Sequence, residues 1–525
     1  MTSDMNLALM NLTRRAEGTD RGSLVATFVN VGSLASIVSS QDHQILYGRR
    51  GTGKTHILQY LSQLRSDAGD IAVYIDMRTI GSTGGLYGDP AISITERGTR
   101  LVVDTLTALY DALVTEVIQG SFQSDNDFTA AMAATDKLEA SLSDVRVTGE
   151  EEIEATAGST DSHSAKASAG AKLGASLALS AAVSGEGSQS AASGSRHTIR
   201  GTTRHRVHFG SVFKSVSQVV SALPGRVWVL LDEWSVVPLD LQPLLADLLR
   251  RCLLPVKGIT VKIAAIEQRS RFIERGDSGG YLGLELGPDI SADVDLDDFM
   301  VFGNDAAKSK QFFSELLFKH VAQSLPEGAD IKSADDFIRI AFTQKNAFEE
   351  LVRAAEGVPR DAINIAMIAA QSAGDELISV PVMRGAARRW YIRDKEKAVE
   401  ANSDAMDLLH WVIDEVIAGR KARAFLMLQS EAGASPLVNS LYDARVLHVI
   451  KRGVAAHDQP GVRFNVYALD YGCYVELINT ANAPKGLLNG GGGEDAIYFD
   501  VPPDDYRSIR RAILTLGPFE SRSHT

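Results

Sequence analysis

Short continuous apolar runs punctuate this chain: "HQILYG" around residue 45, "IAVYIDM" from Ile71 to Met77, Val227–Leu231 within "GRVWVLLDEW", and "GITVKIAAI" ending at Ile266. Runs of this length, bounded by turn residues and rich in β-branched side chains, predict strands buried on both faces. Between them, apolar positions recur at helical spacing in "KTHILQYLSQL", "TRLVVDTLTALYDALVTEVIQ" and "SVFKSVSQVVSAL". Strands alternating with helices predict an α/β core built on a parallel sheet, with ligands at its carboxyl edge.

The pattern changes twice along the chain. Between residues 121 and 210 the composition turns to Ser, Ala and Gly, yet every odd position from Ala165 to Val183 is Ala, Leu or Val. That period of two predicts strands. Arg196, Arg200, Arg204, Arg206 and His208 share even positions of one flanking run, as Glu150, Glu152 and Glu154 do of the other. The segment reads as a β-rich arm in which acidic and basic strands pair side by side. After Ser403 the order is different: an amphipathic helix "SDAMDLLHWVIDEVI", a strand "ARAFLML", a helix opened by Ser435 and Pro436, and the hairpin "LHVIKRG"/"VRFNVYAL" with Pro460 and Gly461 in its turn. Helix, strand, helix, hairpin is the outline of a winged helix. "NGGGGED", Asn489 to Asp495, reads as a flexible tether to a C-terminal segment that docks on its own body or on a partner.

Composition narrows the functional classes. With 525 residues, 45% of them hydrophobic, the chain has room for several domains. Two cysteines, Cys252 and Cys473, supply neither a disulfide framework nor a zinc cluster, which with no apolar leader or membrane-length run sets a cytoplasmic expectation. A net charge of −13 argues against a surface that coats nucleic acid indiscriminately. A DNA-binding patch would therefore be local. The densest cationic stretch is 382–397, "VMRGAARRWYIRDKEK", which carries Arg384, Arg388, Arg389, Arg393, Lys395 and Lys397. It is either a phosphate-contacting helix or a solvated face supported by ion pairs.

The chemistry begins at "ILYGRRGTGKTHIL". Gly48, Arg49, Arg50, Gly51, Thr52, Gly53, Lys54 and Thr55 match G-x-x-x-x-G-K-[ST] between a strand and a helix. Glycines let successive backbone N–H groups converge on a phosphate, and the helix that follows turns its positive end to the same point. Lys54 is expected to reach the β- and γ-phosphates of ATP, and the Thr55 hydroxyl to hold Mg²⁺. The strand at Val227 ends in Asp232, a candidate for the metal shell, and Glu233, a candidate for polarising water. Far downstream, "AAEGVPRDAI" closes one helix at Gly357 and opens another with Pro359 and Arg360.

This G-x-P-R turn resembles the sensor 2 element of AAA+ ATPases, where an arginine on a helical lid touches the γ-phosphate. Phosphate loop, acidic strand, G-x-P-R lid and a further small domain, in that order, are similar to the origin-recognition and replication-initiator branch of AAA+ proteins. They also resemble the STAND signalling ATPases. The resemblance implies a P-loop core over 25–303 with the 121–210 insertion, a helical lid over 304–397, a winged helix over 403–485, and an N-terminal extension (1–24) and tail (486–525) outside these. It implies a slow switch ATPase using ATP and Mg²⁺, with Arg360 reading the γ-phosphate. The sensor 1 position falls on Glu267 or Gln268, where the family carries a small polar residue; an arginine finger falls on Arg269, Arg271 or Arg275, for each of which a plain ion pair is the alternative. The initiator branch implies DNA contact through the winged helix and the 382–397 helix, although the would-be recognition helix offers only Asp443 and Arg445 and the wing only Lys451, Arg452 and Arg463. The STAND branch implies oligomers, or protein partners, engaged through the insertion and the tail.

Overall fold

The computed structural model describes residues 2–13, 18–30, 32–80, 86–119, 124–142, 145–154, 196–205, 208–276, 279–297, 306–325, 331–455, 461–478 and 513–523. Strands β1 (Gln44–Tyr47), β2 (Ile71–Asp76), β5 (Val227–Asp232), β6 (Ile259–Ala265) and β9 (Ser291–Asp295) form one five-stranded sheet in the order β2-β5-β6-β1-β9; the short β7 (Ile273–Arg275) and β8 (Tyr281–Gly283) pair as a hairpin between β6 and β9 in sequence. Every neighbouring pair in the five-stranded sheet is parallel. The four strands expected from apolar runs are all present. The edge strand β9 is an addition, since "SADVD" is too polar to read as one. Because the strands run the same way, Tyr47, Asp76, Asp232, Ala265 and Asp295 all finish at one edge.

Helix Lys54–Asp67 covers one face of the sheet through Ile57, Leu58 and Leu61, which pack with Leu46, Trp228, Leu230 and Ala264. Helix Ile94–Gln119 packs on β2. This is the α/β core on a parallel sheet that the sequence pattern implies. Helix Asp125–Leu142 corrects the boundary set at 121 for the β-rich insertion, because it packs against helix Phe209–Ala222 and belongs to the larger body. Its buried side chains are the small Ala131, Ala134 and Thr135 plus Leu138, a helical spacing hidden in an Ala- and Ser-rich composition.

Residues Ser143–Val207 form a separate compact unit. Its strands β3 (Val145–Glu154) and β4 (Arg196–His205) are antiparallel and in unbroken register, with Glu150 opposite Arg200 and Glu154 opposite Arg196. Glu152 falls opposite Thr198, and Arg146 opposite Arg204, so the register sets acidic against basic residues at part of the ladder. The alternating run Ala165–Val183 and Arg206 lie outside the described residues; His208 is no strand residue but the N-cap of helix Phe209–Ala222.

The stretch expected as a lid is helical, with helices Ala306–Ser324, Ala334–Ala341, Lys345–Ala355, Pro359–Ala373 and Val380–Trp390, the last continuing as a π-helical turn, Tyr391–Glu396; it is called the lid below. The first helix of the chain, Thr2–Met10, buries Met5 and Leu9 against it, and the Asn6 side-chain amide donates to the carbonyls of Gly374 (2.7 Å) and Glu376 (2.8 Å). Beyond Ser403, strands β10 (Ala424–Leu428), β11 (Leu447–Ala455) and β12 (Arg463–Leu469) make an antiparallel sheet in the order β10-β12-β11, with helix Pro436–Asp443 between β10 and β11. The Ser435 hydroxyl caps that helix, accepting from the Val438 amide at 3.3 Å. One continuous apolar core joins the lid to this sheet, from Phe313 and Leu351 through Tyr391 to Leu447 and Leu469. Of the C-terminal segment, the described residues dock on the chain's own body. Ile513 bridges Leu426 of edge strand β10, the Leu514 amide donates to Leu426 at 2.8 Å, and the Phe519 ring lies 5.7 Å from that of Trp411.

Candidate functional site

The loop between β1 and helix Lys54–Asp67 is shaped by its glycines. Gly51 (φ 87°) and Gly53 (φ 96°) sit in left-handed conformations that disfavour any side chain. A Cβ on Gly51 would also lie 2.8 Å from the Arg360 Cβ. Within the curve the Lys54 ammonium donates to the carbonyls of Gly48 (2.8 Å) and Arg49 (2.9 Å), and the Thr52 hydroxyl donates to Arg49 (2.9 Å). Burial pulls the Lys54 pKa below its usual value, and the charges of Glu233, Asp297 and Asp232 oppose that pull. Thr55 follows in the first helical turn, half-buried.

Asp232 is the last residue of β5 and fully buried. One of its oxygens accepts from the Tyr74 hydroxyl at 2.7 Å, and the other from the Glu233 amide at 2.8 Å. Glu233 has a positive φ of 55°, so the chain turns sharply at the end of β5. Burial, followed by the charge of Asp232, raises the Glu233 carboxyl above its usual range, against the pull of Lys54 and Arg78. Two adjacent carboxyls thus sit in different environments, one held by two donors and the other poised to take a proton more readily.

The lid meets the loop directly. Glu356 (φ 45°) and Gly357 (φ 82°) end helix Lys345–Ala355, Pro359 opens the next, and the Arg360 amide donates to the Gly51 carbonyl at 3.2 Å. The positive charge of Arg360 acts on Lys54, so lid and loop cations share one locality.

Other expected side chains go elsewhere. The Arg49 guanidinium is 2% exposed and turns toward the C-terminal domain, with Nε 2.8 Å from Asp297 Oδ1 and one terminal nitrogen 2.8 Å from His448 Nδ1. Its side chain is therefore not free for a phosphate, which corrects its place in the cradle; Arg50 is exposed at the loop tip. Among the sensor 1 and arginine-finger candidates, Glu267 pairs with Arg452 (2.6 Å), Arg269 with Asp443, and Arg271 with Glu274 (3.5 Å). Arg275 is exposed, as Gln268 is in part. In the 382–397 stretch the ion-paired alternative holds for half of the cations. Arg384 binds Glu350 (2.5 Å), Arg388 binds the Gly472 carbonyl (3.0 Å) and Glu476 (3.3 Å), and Lys395 is buried between Asp361 (2.9 Å) and Asp470 (2.5 Å). Only Arg389, Arg393 and Lys397 of its six cations face solvent. Arg445 is likewise buried, against Asp361 and Asp394.

Sequence reasoning missed Tyr74, Asp297 and His448. Tyr74 had a weak signal, an inward alternate position two residues before the end of β2; the other two had none near them in the chain.

This arrangement fits a magnesium-bound nucleotide. A buried ammonium is held only by backbone carbonyls that a phosphate oxygen can outbid, the Gly51 cradle has no room for a side chain, and a hydroxyl and a carboxylate (Thr55 and Asp232) are the hard oxygen donors magnesium prefers. Among the described residues no helix is long and apolar enough to cross a membrane, and no group of His, Cys, Asp and Glu suits a resident metal.

A family model described as ORC-CDC6-like matches residues 12–66, the stretch from the end of the first helix through β1, the loop and helix Lys54–Asp67. No curated protein matches the chain. A solved structure of the Aeropyrum pernix Orc1 protein in complex with DNA is 12% identical over 86% of this chain and 93% of that one, with a TM-score of 0.32. Through its phosphate-loop segment the chain resembles the ORC-CDC6-like AAA+ ATPases.

Proposed function

We propose that this protein is a switch ATPase: it binds MgATP between the P-loop core and the lid, hydrolyses it slowly, and uses the nucleotide to set the position of its C-terminal domain. The observation that carries this reading is the convergence of Lys54, Asp232, Glu233 and Arg360, from three separate stretches of chain, on one loop. Lys54 neutralises phosphate charge, Thr55 and Asp232 hold the magnesium, and Tyr74 fixes the Asp232 carboxylate. Glu233, with its raised pKa, takes a proton from water at the sheet edge. Arg360 reads the γ-phosphate from the lid. Magnesium, when bound, withdraws charge from the phosphates. Arg49 and Arg50 contribute backbone, through the curve of the loop, and no side chain.

The winged-helix-like C-terminal domain is the part that engages a DNA or nucleoprotein partner. The STAND-like alternative, a protein partner or a second copy of the chain in place of DNA, gains from one specific observation: Arg452 and Asp443, on the wing and the would-be recognition helix, are bound to the core. Equilibrium titration with a fluorescent ATP analogue tests the nucleotide reading. Lys54→Ala is expected to abolish binding, and Glu233→Gln to retain ATP without turning it over. Undiminished affinity in Lys54→Ala would remove the basis of the proposal. Titration with duplex DNA at two salt concentrations, against size measurement with ATP, separates the two partner classes.

A further inference from the structure

Arg49 does something the phosphate-loop pattern does not call for. Its amide donates to Asp297 Oδ2 (2.8 Å), its Nε to Oδ1 of the same carboxylate (2.8 Å), and its terminal nitrogen to His448 Nδ1 (2.8 Å) at the start of β11. The guanidinium also lies over the ring of Tyr442, 5.0 Å from its centroid, on helix Pro436–Asp443. Arginine can only donate, so His448 Nδ1 is the bare acceptor and its Nε2 carries the hydrogen shared with Asp470 (2.9 Å). Asp470 binds Lys395, Lys395 binds Asp361, and Asp361 follows Arg360, whose amide returns to Gly51. The circuit leaves the phosphate loop at one residue and re-enters it two residues later.

Two features give this circuit a mechanical meaning. The lid and the β10-β12-β11 sheet share an apolar core and the Lys395, Asp470, Asp361 and Arg445 ion pairs, so they form a single body. Among the described residues, the polar contacts that tie that body to the nucleotide-binding core include Arg49 with His448, Tyr442 with Asp297, Arg269 with Asp443, Arg452 with Glu267 and Asp295, Lys319 with the Phe28 carbonyl, and the Arg360 amide with Gly51. Of these side-chain ties Arg49–His448 is deeply buried, while the Arg269 and Arg452 pairs are partly exposed and weak; a buried charged group that loses its partner is costly, so the Arg49 contact favours one geometry.

We propose that Arg49 and His448 form a latch that holds the lid and C-terminal domain over the phosphate loop and thereby sets the rate of nucleotide release. Arg49 and His448 are thus positioning residues: they keep Arg360 against Gly51 and touch no phosphate. The inference rests on the nucleotide reading of the loop, and its test is arranged so that either can fail alone.

Release of a fluorescent ATP analogue is followed by chase with unlabelled ATP, and an electron-spin distance is measured between labels at Ser66→Cys and Lys451→Cys, both exposed positions. His448→Ala, which lies outside the phosphate loop, is expected to speed release on the order of tenfold and to lengthen and broaden the distance; Arg49→Met should do the same. His448→Gln, which keeps an acceptor and a donor, is expected to restore much of the wild-type rate. Arg384→Ala removes an ion pair inside the lid body; it lowers stability but leaves release unchanged, which separates the latch from general loosening. Wild-type release and distance in a folded His448→Ala protein would overturn the latch. Failure of the wild-type protein to bind the analogue would overturn the nucleotide reading instead.

Discussion

The amide of Arg360 donates to the carbonyl of Gly51 across 3.2 Å, which joins the first turn of a lid helix to the middle of the phosphate loop. The contact exists because Gly51 has no side chain: a Cβ there would stand 2.8 Å from the Arg360 Cβ and 3.3 Å from its Cδ. Gly51→Ala therefore forces the lid outward while also placing alanine at a φ of 87°. We expect a stability loss of about 2 kcal/mol from the backbone strain and a weaker hold on nucleotide. Chemical denaturation and an ATP titration of the same variant measure the two effects separately. Gly88→Ala, at a site where a Cβ meets nothing within 4 Å, is the matching control.

Legibility from sequence follows the distance between partners. The loop from Gly48 to Thr55 and the end of β5 are local constellations, so strand, turn and helix signals lay beside the chemistry. Arg49 looked like one more cradle residue because Asp297 is 248 positions away and His448 is 399. Counting charge in 382–397 left a phosphate-contacting helix and an ion-paired face both open; counting partners favours ion pairing, since Glu350, Asp361 and Asp470 neutralise it from other elements. Composition misled at helix Asp125–Leu142, whose buried stripe consists of residues small enough to pass for linker.

Removal of the C-terminal anchor is expected to destabilise the sheet it extends. Leu514 is 2% exposed, its amide is bonded to Leu426, and the Leu516 amide donates to Glu431 at 2.7 Å. Leu514→Ala should cost about 3 kcal/mol and raise hydrogen exchange in β10, the strand whose edge the segment covers. Unchanged exchange in β10 would show that the segment is dispensable there.

Lys395 is the hinge of the buried ion network, 1% exposed between two carboxylates that are themselves buried. Attraction to Arg445 and Lys395 holds Asp361 far below the usual carboxylate range despite its burial. Lys395→Met leaves both aspartates facing apolar surroundings with one cation fewer, a change expected to cost about 3–5 kcal/mol. Adding Asp470→Leu should recover part of that cost, because the second substitution removes one stranded charge. The double-mutant cycle, read by urea denaturation, gives the coupling directly.

Four histidines make stability fall with acid well before the carboxylates titrate. Burial lowers the pKa of His43, His56 and His448, and lowers that of His320 to about 4. In the unfolded chain each returns to about 6.5. Above that pH both states hold the rings neutral and nothing changes. Between it and the folded values, the unfolded chain binds protons that the native one refuses, so stability drops as pH falls. Each such group contributes at most about 1.4 kcal/mol per pH unit. Glu233 works in the opposite direction, since its raised pKa lets the folded protein take a proton earlier, but it is one group against four. The urea midpoint is therefore expected to decline from pH 7 toward pH 5. His320→Gln should flatten that decline whatever it does to the midpoint at neutral pH, because its ring packs near His56 and burial lowers its pKa to about 4. An unaltered slope in that variant would mean the ring is protonated in the folded protein and the burial argument for it fails.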